Sequence, residues 1–438
     1  MKTINKSSQA SIFPILLVNF IGTLGYSIIL PFLVIIVIKF GGNELIYGIM
    51  GASYSFFQLI GAPILGKWSD NYGRKKILLL SQIGTFVAWI LFILALVIPN
   101  TSLINIDSSI FGIFILTIPL LILFIARALD GITGGNVSVA NAYLADVTTD
   151  DNRNSNFGKM AASANLGYII GPAFAGILGG TVLGELLPVA AAMLISLIAI
   201  FVIAFMLPES NPCTLSKYVG NKKVSTVLGQ EQKECYNLTG AEKVSFMDIL
   251  RFKNIPFILI LYFLIFLAFN FFYVTFPIHS VQNLGWGLLK LGVFFSLIGL
   301  VLVIVQGPVL SKLSRNFSEG ILIVAGSILL GMSFFLFASN NELFIFLGVL
   351  LFSCGNGIMW PSFLSILSKI AGEKYQGTIQ GYASSIGSLA SIIGLISGGL
   401  LYGLIGVVTL WIPAILMVVI FTMSFKLLRV EKNQFRKN

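Results

Sequence analysis

Long apolar runs alternate with short polar turns along almost the whole chain. A helix needs roughly 20 apolar residues to cross a hydrocarbon layer about 30 Å thick. Runs of about this length lie near 12–38, 46–66, 77–98, 117–146 and 157–180, and a sixth ends at Leu207. Six more lie near 255–279, 288–311, 319–338, 343–370, 377–404 and 407–428. The pattern predicts twelve transmembrane helices.

A polar interval divides the chain into two halves. We expect an N-terminal six-helix bundle at 1–208, a linker at 209–254, a C-terminal six-helix bundle at 255–428 and a short tail at 429–438. The linker mixes lysine with glutamate and has no long apolar run, which is typical of a solvated connector. The first apolar run is too long for a signal-peptide core and has no small-residue cleavage site, so we interpret it as a retained helix.

Composition and charge agree with a membrane protein. Hydrophobic residues form 57% of the chain and charged residues only 10%, against about 25% in ordinary globular domains, which excludes a soluble fold. If both termini are cytoplasmic, only Lys39 and Lys290 carry positive charge on the outer face. The positive-inside rule favours that orientation in a cell membrane. The net charge of +10 then follows from topology, and no nucleic-acid partner is needed.

The turn between the second and third predicted helices recurs in the second half. A shift of 245 residues places Pro63, Leu65, Lys67, Ser69 and Asn71 on identical residues. Later, a shift of 223 does the same for Gly158, Ile169, Ile170, Gly171 and Gly176. The change of offset predicts about 22 extra residues in the first half, in an outer loop near 99–116. Transporters commonly consist of such related halves, with the substrate site between them.

The first copy of this turn has a specific pattern of glycine and charge. The spacing G-x-x-x-D-x-x-G-R-[RK] is met by Gly66, Asp70, Gly73, Arg74 and Lys75. With twelve helices and a six-plus-six repeat, the chain resembles the major facilitator superfamily over nearly its whole length. The resemblance implies an all-α integral membrane fold of two pseudo-symmetric six-helix bundles. It also implies a monomer.

The resemblance gives the turn a role as a cytoplasmic gate. It implies that Asp70 lies against the N-terminus of the eleventh helix, near Gln376, where a helix dipole favours a carboxylate. It also implies that Arg74 pairs with Asp146 at the end of the fourth helix. Alternatively, these charges only set the topology. In the second copy of the turn the charges are reversed. This reversal indicates either a second ion pair that complements the first, which we call a complementary latch, or loss of the motif.

The fifth predicted helix carries a second motif. The spacing G-x8-G-x3-G-P-x2-G-G is met, with Ala175 replacing one glycine, by Gly158, Gly167, Gly171, Pro172 and Gly176. Small residues four apart allow close helix packing, which is the alternative to a specialised role. In the superfamily this motif implies exchange of drug for proton. Two further segments, 131–148 and 376–394, resemble the tetracycline-efflux group of drug:proton antiporters.

Two ionisable residues, Arg127 and Asp130, lie inside an apolar run. Charge at membrane depth is costly and therefore indicates function, and a spacing of three places both residues on one helix face. Arg127 with Gly131 matches a superfamily motif linked to proton transfer. Our hypothesis is that Asp130 binds and releases the coupling proton while Arg127 controls its proton affinity; the alternative is a static ion pair.

The first helix departs from the tetracycline-efflux pattern. That group carries an aspartate where this chain has Gly22. Three explanations stay open: Asp130 has taken over coupling, the proton stoichiometry differs, or transport is not driven by protons.

Polar and aromatic residues near mid-membrane predict a substrate pocket between the halves. The candidate substrate contacts are Tyr26, Gln58, Asn165, Phe266, Asn270, Tyr273, Asn356 and Trp360. Aromatic residues that face lipid and polar residues that join helices are the alternative interpretations. His279 has no partners at ligand spacing, and no phosphate-binding glycine loop is present, so we expect no metal, no cofactor and no ATP-driven step.

The sequence therefore predicts a secondary transporter rather than an enzyme. It would export small amphipathic, drug-like molecules by alternating access, coupled to inward proton movement. Its partners would be the small-molecule substrate, protons and membrane lipid. One alternative is a metabolite or siderophore exporter, or a uniporter, with the same fold. Another is a membrane receptor or scaffold that transports nothing.

Overall fold

The structure is a computed structural model that describes residues 12–29, 32–134, 136–148, 152–210 and 254–435. Most of the predicted linker and the last three residues of the predicted tail lie outside these ranges. The described helices of the first half are α1 (Phe13–Ile29), α2 (Leu33–Lys39), α3 (Glu44–Tyr72), α4 (Arg74–Val97), α5 (Ile118–Thr133), α6 (Asn136–Asp146), α7 (Arg153–Gly179) and α8 (Leu186–Phe201). A π-helical turn, Val202–Met206, extends α8.

The second half is also helical. Its described helices are α9 (Ile255–Gln282), α10 (Leu288–Ile304), α11 (Leu310–Asn316), α12 (Glu319–Phe337), α13 (Glu342–Ile405) and α14 (Trp411–Phe435). A π-helical turn, Val305–Val309, joins α10 to α11. Charged residues mark two ends of the bundle, which we name the Glu44 face and the Arg74 face after the first residues of α3 and α4.

Ten stretches of the described chain are long and apolar enough to cross a membrane, and the pair α1–α2, bent by 42°, makes an eleventh. The sequence predicts twelve. The difference arises at Ile379–Arg429, a single stretch of 51 residues. At about 1.5 Å per residue it is more than twice as long as one crossing needs. A 3₁₀ turn at Gly406–Leu410 divides it into two crossings.

The longest helix, α13, joins two predicted helices without the expected break. Helical structure continues over 64 residues from Glu342 to Ile405. Glu342 pairs with Lys290, in the first turn of α10 at the Glu44 face, whereas Lys369 pairs with Glu319 at the opposite face. A side chain added at Gly399 would again meet Glu44. The chain therefore crosses the bundle and returns within α13.

The two halves pack through equivalent pairs of helices. A Cβ atom built on Gly292 of α10 would lie 2.6 Å from the Cα of Gly176 in α7, and one built on Gly399 of α13 would lie 3.2 Å from the Cα of Gly48 in α3. Gly176 and Gly399 are matched by the shift of 223 residues found in the sequence. The internal repeat is thus visible as two symmetric helix contacts between the halves.

Phenylalanine side chains of α9 form much of the core of the second half. Phe276 lies 4.3 Å from Phe294 of α10 between ring centroids, and Phe272 lies 4.9 Å from Phe337 of α12. All four rings are fully buried. Stacked and edge-on aromatic pairs stabilise such a core beyond the area that they bury. These phenylalanines therefore pack within the protein rather than against lipid.

The extra residues of the first half form a β-hairpin. Its antiparallel strands are β1 (Ser102–Ser108) and β2 (Gly112–Thr117). The hairpin is attached to the connection between α2 and α3, because the backbone N–H of Ile115 donates to the carbonyl of Gly41 at 2.8 Å and the side chain of Asn43 donates to the carbonyl of Phe111 at 2.8 Å. The insertion predicted near 99–116 is thus an ordered element at the Glu44 face.

Candidate functional site

Two adjoining cavities lie between the halves of the bundle. The first has a volume of about 310 Å³ and the second about 380 Å³. The first is bordered by polar side chains of α1, α3, α4 and α5, and the second by α9 and α13 together with α1 and α3. The residues that line both are Tyr26, Ser55, Tyr168, Phe266 and Ser391. Both halves therefore contribute to one continuous candidate site.

Most of the predicted substrate contacts line these cavities. Gln58 lines the first cavity and Tyr26 and Phe266 line both, while the second is lined by Asn270, Tyr273, Asn356 and Trp360. Asn165 is not among the described residues that line either cavity. Instead, its side-chain amide donates to Gln306 across the two halves at 3.5 Å. The side chain of Asn165 therefore bridges α7 and the π-helical turn that follows α10.

The second cavity has an aromatic wall with one fixed amide. The ring of Phe266 lies 5.4 Å from Trp360 and 4.8 Å from Tyr262. Asn270, one turn after Phe266 in α9, donates to the hydroxyl of Ser391 at 2.9 Å. Packing and the hydrogen bond restrict these rotamers, so the wall is preorganised. Such a surface suits a planar apolar molecule that carries a few polar groups.

The charged pair in α5 lies beside both cavities. Asp130 lines the first cavity and Arg127 the second. Their closest N–O distance is 3.8 Å, longer than the 2.7–2.9 Å of a charge-assisted hydrogen bond. Thr85 of α4 borders the same cavity as Asp130. Among the described atoms, Nε and Nη1 of Arg127 have no hydrogen-bond partner. The pair is therefore loose rather than locked.

The glycine that follows Arg127 by one turn explains its position. A Cβ atom built on Gly131 would lie 2.9 Å from the Cβ of Phe57 and 3.1 Å from the Cα of Tyr54 in α3. Only glycine allows α5 to approach α3 this closely. The approach places the guanidinium of Arg127 over the ring of Tyr54, 4.7 Å from its centroid. A cation above an aromatic face is stabilised by the ring quadrupole.

Sequence reasoning missed two tyrosines of the site. Tyr54 and Tyr168 both border the first cavity, and their rings lie 4.9 Å and 6.2 Å from Tyr26. The hydroxyl of Tyr54 accepts a hydrogen bond from Gln58 at 3.3 Å. Because Tyr54 and Gln58 are four residues apart in α3, they share a helix face. That spacing is the signal by which Tyr54 could have been found.

The predicted gate residues meet at the Arg74 face. Arg74 Nη1 lies 2.5 Å from Oδ1 of Asp70, and its Nε donates to Oδ2 of Asp146 at 3.0 Å. Gly73, the residue before α4, has a φ of 104°, which favours glycine. The side chain of Lys75 donates to the carbonyl of Ala204 at 2.8 Å. A Cβ atom built on Gly66 would lie 3.9 Å from Oγ of Ser138, which is ordinary contact distance. The side chains around Gln376 lie outside the described ones.

Glu209 completes this cluster and was not predicted. Its carboxylate accepts from the backbone N–H groups of Arg74 at 2.9 Å and Lys75 at 3.2 Å. These groups open α4, where unpaired N–H groups and the helix dipole favour a negative charge. The adjacent Ser210 donates to Asp146 at 3.2 Å. The end of the sixth crossing therefore closes the cluster, although the sequence showed it only as the end of an apolar run.

The reversed charges of the second half form an equivalent pair. Glu319 opens α12 and pairs with Lys369 of α13. The repeat offsets of 245 and 223 residues match Glu319 to Arg74 and Lys369 to Asp146. Each half therefore has an ion pair at the same place with opposite polarity. Of the two alternatives that the sequence left open, this geometry favours the complementary latch.

The glycine motif of α7 faces two neighbouring helices. Cβ atoms built on Gly167 and Gly171 would lie 2.8 Å from the backbone N of Leu24 and 2.9 Å from the Cβ of Ser27, both in α1. Gly176 faces α10, and Pro172 contributes a carbonyl to that contact. A Cβ on Gly158 would meet no described atom within 4 Å. The motif thus joins α7 to its own half and, at Gly176, to the other half.

The fold and the central cavity define a membrane transport protein. The chain belongs to the Major Facilitator Superfamily, whose family model matches residues 15–395. The predicted resemblance and fold class are therefore confirmed. The protein is a secondary transporter and not an enzyme.

Curated relatives are similar over most of their length. The chain is 27% identical to the class E tetracycline resistance protein of Escherichia coli over 391 residues, covering 88% of this chain and 86% of that protein. It is also 27% identical to multidrug resistance protein 2 of Bacillus subtilis over 419 residues, covering 92% and 91%.

Solved structures of low identity share the fold. A D-xylose–proton symporter matches with a TM-score of 0.71 at 15% identity, covering 95% of this chain and 97% of that one. The human organic anion transporter MFSD10 matches with a TM-score of 0.63 at 19% identity, covering 94% and 98%.

Proposed function

We propose that this transporter exports small amphipathic, drug-like molecules in exchange for protons, with Asp130 as the proton-binding residue and Arg127 as the group that controls its proton affinity. The observation that carries the proposal is the loose pair itself, buried in α5 between the two cavities. A carboxylate that a substrate can reach, beside a cation that only partly neutralises it, can exchange its proton when a substrate arrives. The names of the curated relatives support drug efflux.

The gate, the helix contacts and the cavities support alternating access. We infer that the Arg74 face is cytoplasmic, with both termini on that side, because nearly all basic residues then lie there. In the conformation of the structure, contacts between glycines hold the two halves together near the Glu44 face. The ion pairs at Arg74 and Glu319 lie within their own halves. Each half would then move as a rigid body about the central site.

We also propose the domain boundaries and oligomeric state that the sequence predicts. The bundles at 1–208 and 255–428 would act as the moving units, joined by the linker at 209–254 and followed by the tail at 429–438. A monomer is sufficient, since residues of one chain surround both cavities. Membrane lipid would cover the outer helix surfaces.

An exchange measurement in proteoliposomes tests the coupling role of Asp130. Tetracycline serves as the probe, and a pH-sensitive dye inside the vesicles reports proton movement. We expect Asp130→Asn to abolish tetracycline-driven proton movement while downhill tetracycline flux continues. The control is Asp107→Asn, which removes an exposed acid of the hairpin. Full coupling in Asp130→Asn would rule out the assignment.

A uniporter is the second candidate function, and one observation supports it. Gly22 lines the first cavity, and a Cβ built there would meet no described atom within 4 Å. The cavity therefore lacks a carboxylate at a position that has room for one. Tetracycline flux without any pH change in the unmodified protein would establish this alternative.

A further inference from the structure

The β-hairpin presents an apolar surface that no described part of the chain covers. Large apolar side chains are exposed at the hairpin turn and along β2, at Ile110, Phe111, Ile113 and Ile115, and that of Ile113 is 74% exposed. Within 102–117 the only charged residue is Asp107. Soluble surfaces rarely present contiguous apolar patches of more than a few hundred Å², and larger ones mark interaction sites.

The hairpin has one face toward the protein and one away from it. Asp107 pairs with Ile113 across the strands, and Ile106 pairs with Phe114. Because side chains alternate along a strand, these two pairs point in opposite directions. Phe114 packs against the hydrophobic core, whereas Ile113 is exposed. The exposed face is apolar along β2, at Ile113 and Ile115, and polar along β1, at Asn105 and Asp107.

Chain connectivity places the hairpin at the membrane boundary. β1 begins shortly after α4 ends at Val97, and α5 begins directly after β2. Both helices are long and apolar enough to cross the membrane. The hydroxyl of Thr117 also donates to the carbonyl of Phe40 at 2.9 Å, which fixes the base of the hairpin. The hairpin is therefore attached close to the lipid surface at both ends.

We propose that Ile110, Phe111 and Ile113 insert into the bilayer interface, among the first acyl carbons below the phospholipid headgroups. Apolar side chains gain free energy when they leave water for this layer. Asp107, on the other strand of the same face, stays in the headgroup region. The partner is thus phospholipid, and the surface is a lipid anchor that the rest of the superfamily fold does not require.

The anchor is connected to the contact between the halves. Asn43 accepts from the backbone N–H of Ile46 at 3.0 Å and so caps α3, while its amide group holds the hairpin turn at Phe111. One turn further along α3, Gly48 meets Gly399 of the other half. Lipid contact at the turn therefore steadies the end of α3 that closes the Glu44 face.

Fluorescence quenching tests the anchor in the full chain. With Cys213, Cys235 and Cys354 replaced by serine, an environment-sensitive dye is attached to Ile113→Cys or to the matched control Asp107→Cys. In phosphatidylcholine proteoliposomes, the dye at 113 should lose fluorescence to lipids spin-labelled near the headgroup and resist aqueous iodide. The dye at 107, in the headgroup region, should be quenched by aqueous iodide as well as by these lipids.

Two results would overturn the anchor. Iodide quenching without lipid quenching at 113 would show a face open to water. Energy transfer between labelled chains without lipid quenching would show a second copy on that face. A second label at Phe111→Cys repeats the test should Ile113→Cys elute as misfolded material. No substrate is needed, so failure of the transport proposal would leave this outcome unaffected.

Discussion

Adding a single methyl group at Gly292 is predicted to push the two halves apart at the Glu44 face. The new Cβ would lie 2.6 Å from the Cα of Gly176 and 2.7 Å from the carbonyl oxygen of Pro172. Carbon atoms in contact normally lie about 3.5–4.0 Å apart, so α7 and α10 must separate by about 1 Å. Backbone atoms cannot rotate away, and overpacking of this kind costs about 1–3 kcal/mol.

That cost falls on the closed state alone, because the contact disappears when the halves part. It therefore translates into a roughly 5- to 150-fold shift toward the state open at the Glu44 face. Spin labels at Val182 and Leu343, one in each half near this face, report the change by pulsed electron resonance. In Gly292→Ala, the population with the longer label distance should rise.

The matched control lies in the glycine motif of α7, the motif that contains Gly176, which Gly292 meets. Gly158→Ala introduces the same methyl group where no described atom lies within 4 Å, so its distance distribution should equal that of the parent. A Gly292→Ala protein that elutes as one species but keeps the parent distribution would refute the reasoning. The halves would then be held by contacts other than this one.

Two more substitutions test the site and the second latch. Gly22→Asp should raise the number of protons exchanged per tetracycline and restore coupling to Asp130→Asn, because the first cavity has room for the new carboxylate; an unchanged ratio in the dye assay would argue against a proton site there. Glu319→Lys should lower the thermal unfolding midpoint through repulsion from Lys369, and adding Lys369→Glu should restore it. Since Lys369 is 44% exposed, solvent screening limits the effect to about 1 kcal/mol; equal loss in the double variant would contradict a direct pair.

The membrane crossings could be predicted because the bilayer imposes a length on every apolar run. Breaks between crossings were less predictable. The segment near 371–376 was expected to end a helix, yet helical structure continues through it in α13. None of its residues is proline, and local hydrogen bonding can therefore persist across a polar interval.

The hairpin was predicted as an insertion but not as a sheet. The repeat offset gave its position in the sequence. Its short apolar stretches, however, resemble the ends of the two neighbouring transmembrane helices, so they did not indicate strands. Strand pairing joins residues such as Asp107 and Ile113, and such pairing depends on a turn whose geometry the residue pattern does not specify. Register therefore became visible only in three dimensions.

Site residues could be predicted when their residue type is rare in membrane helices, and could not be when it is common there. Arg127 and Asp130 stand out because charge inside an apolar run has few structural uses. Tyr168 also lines the first cavity. Because tyrosine is frequent in membrane helices, its presence in the sequence does not indicate a functional site. Asn165 bridges the two halves through Gln306 and is not among the described residues that line either cavity, so its role as a substrate contact stays a prediction.

The opposite polarity of the two latches has a consequence for how the halves diverged. If both descend from one duplicated ancestor, a single charge change in either latch would have placed like charges together, so reversal required a neutral intermediate or two coordinated changes. Under that history, the ion pair is retained although the identities of its residues are not. Relatives of this chain should therefore carry Glu319–Lys369 type pairs in either orientation, but rarely with one partner changed.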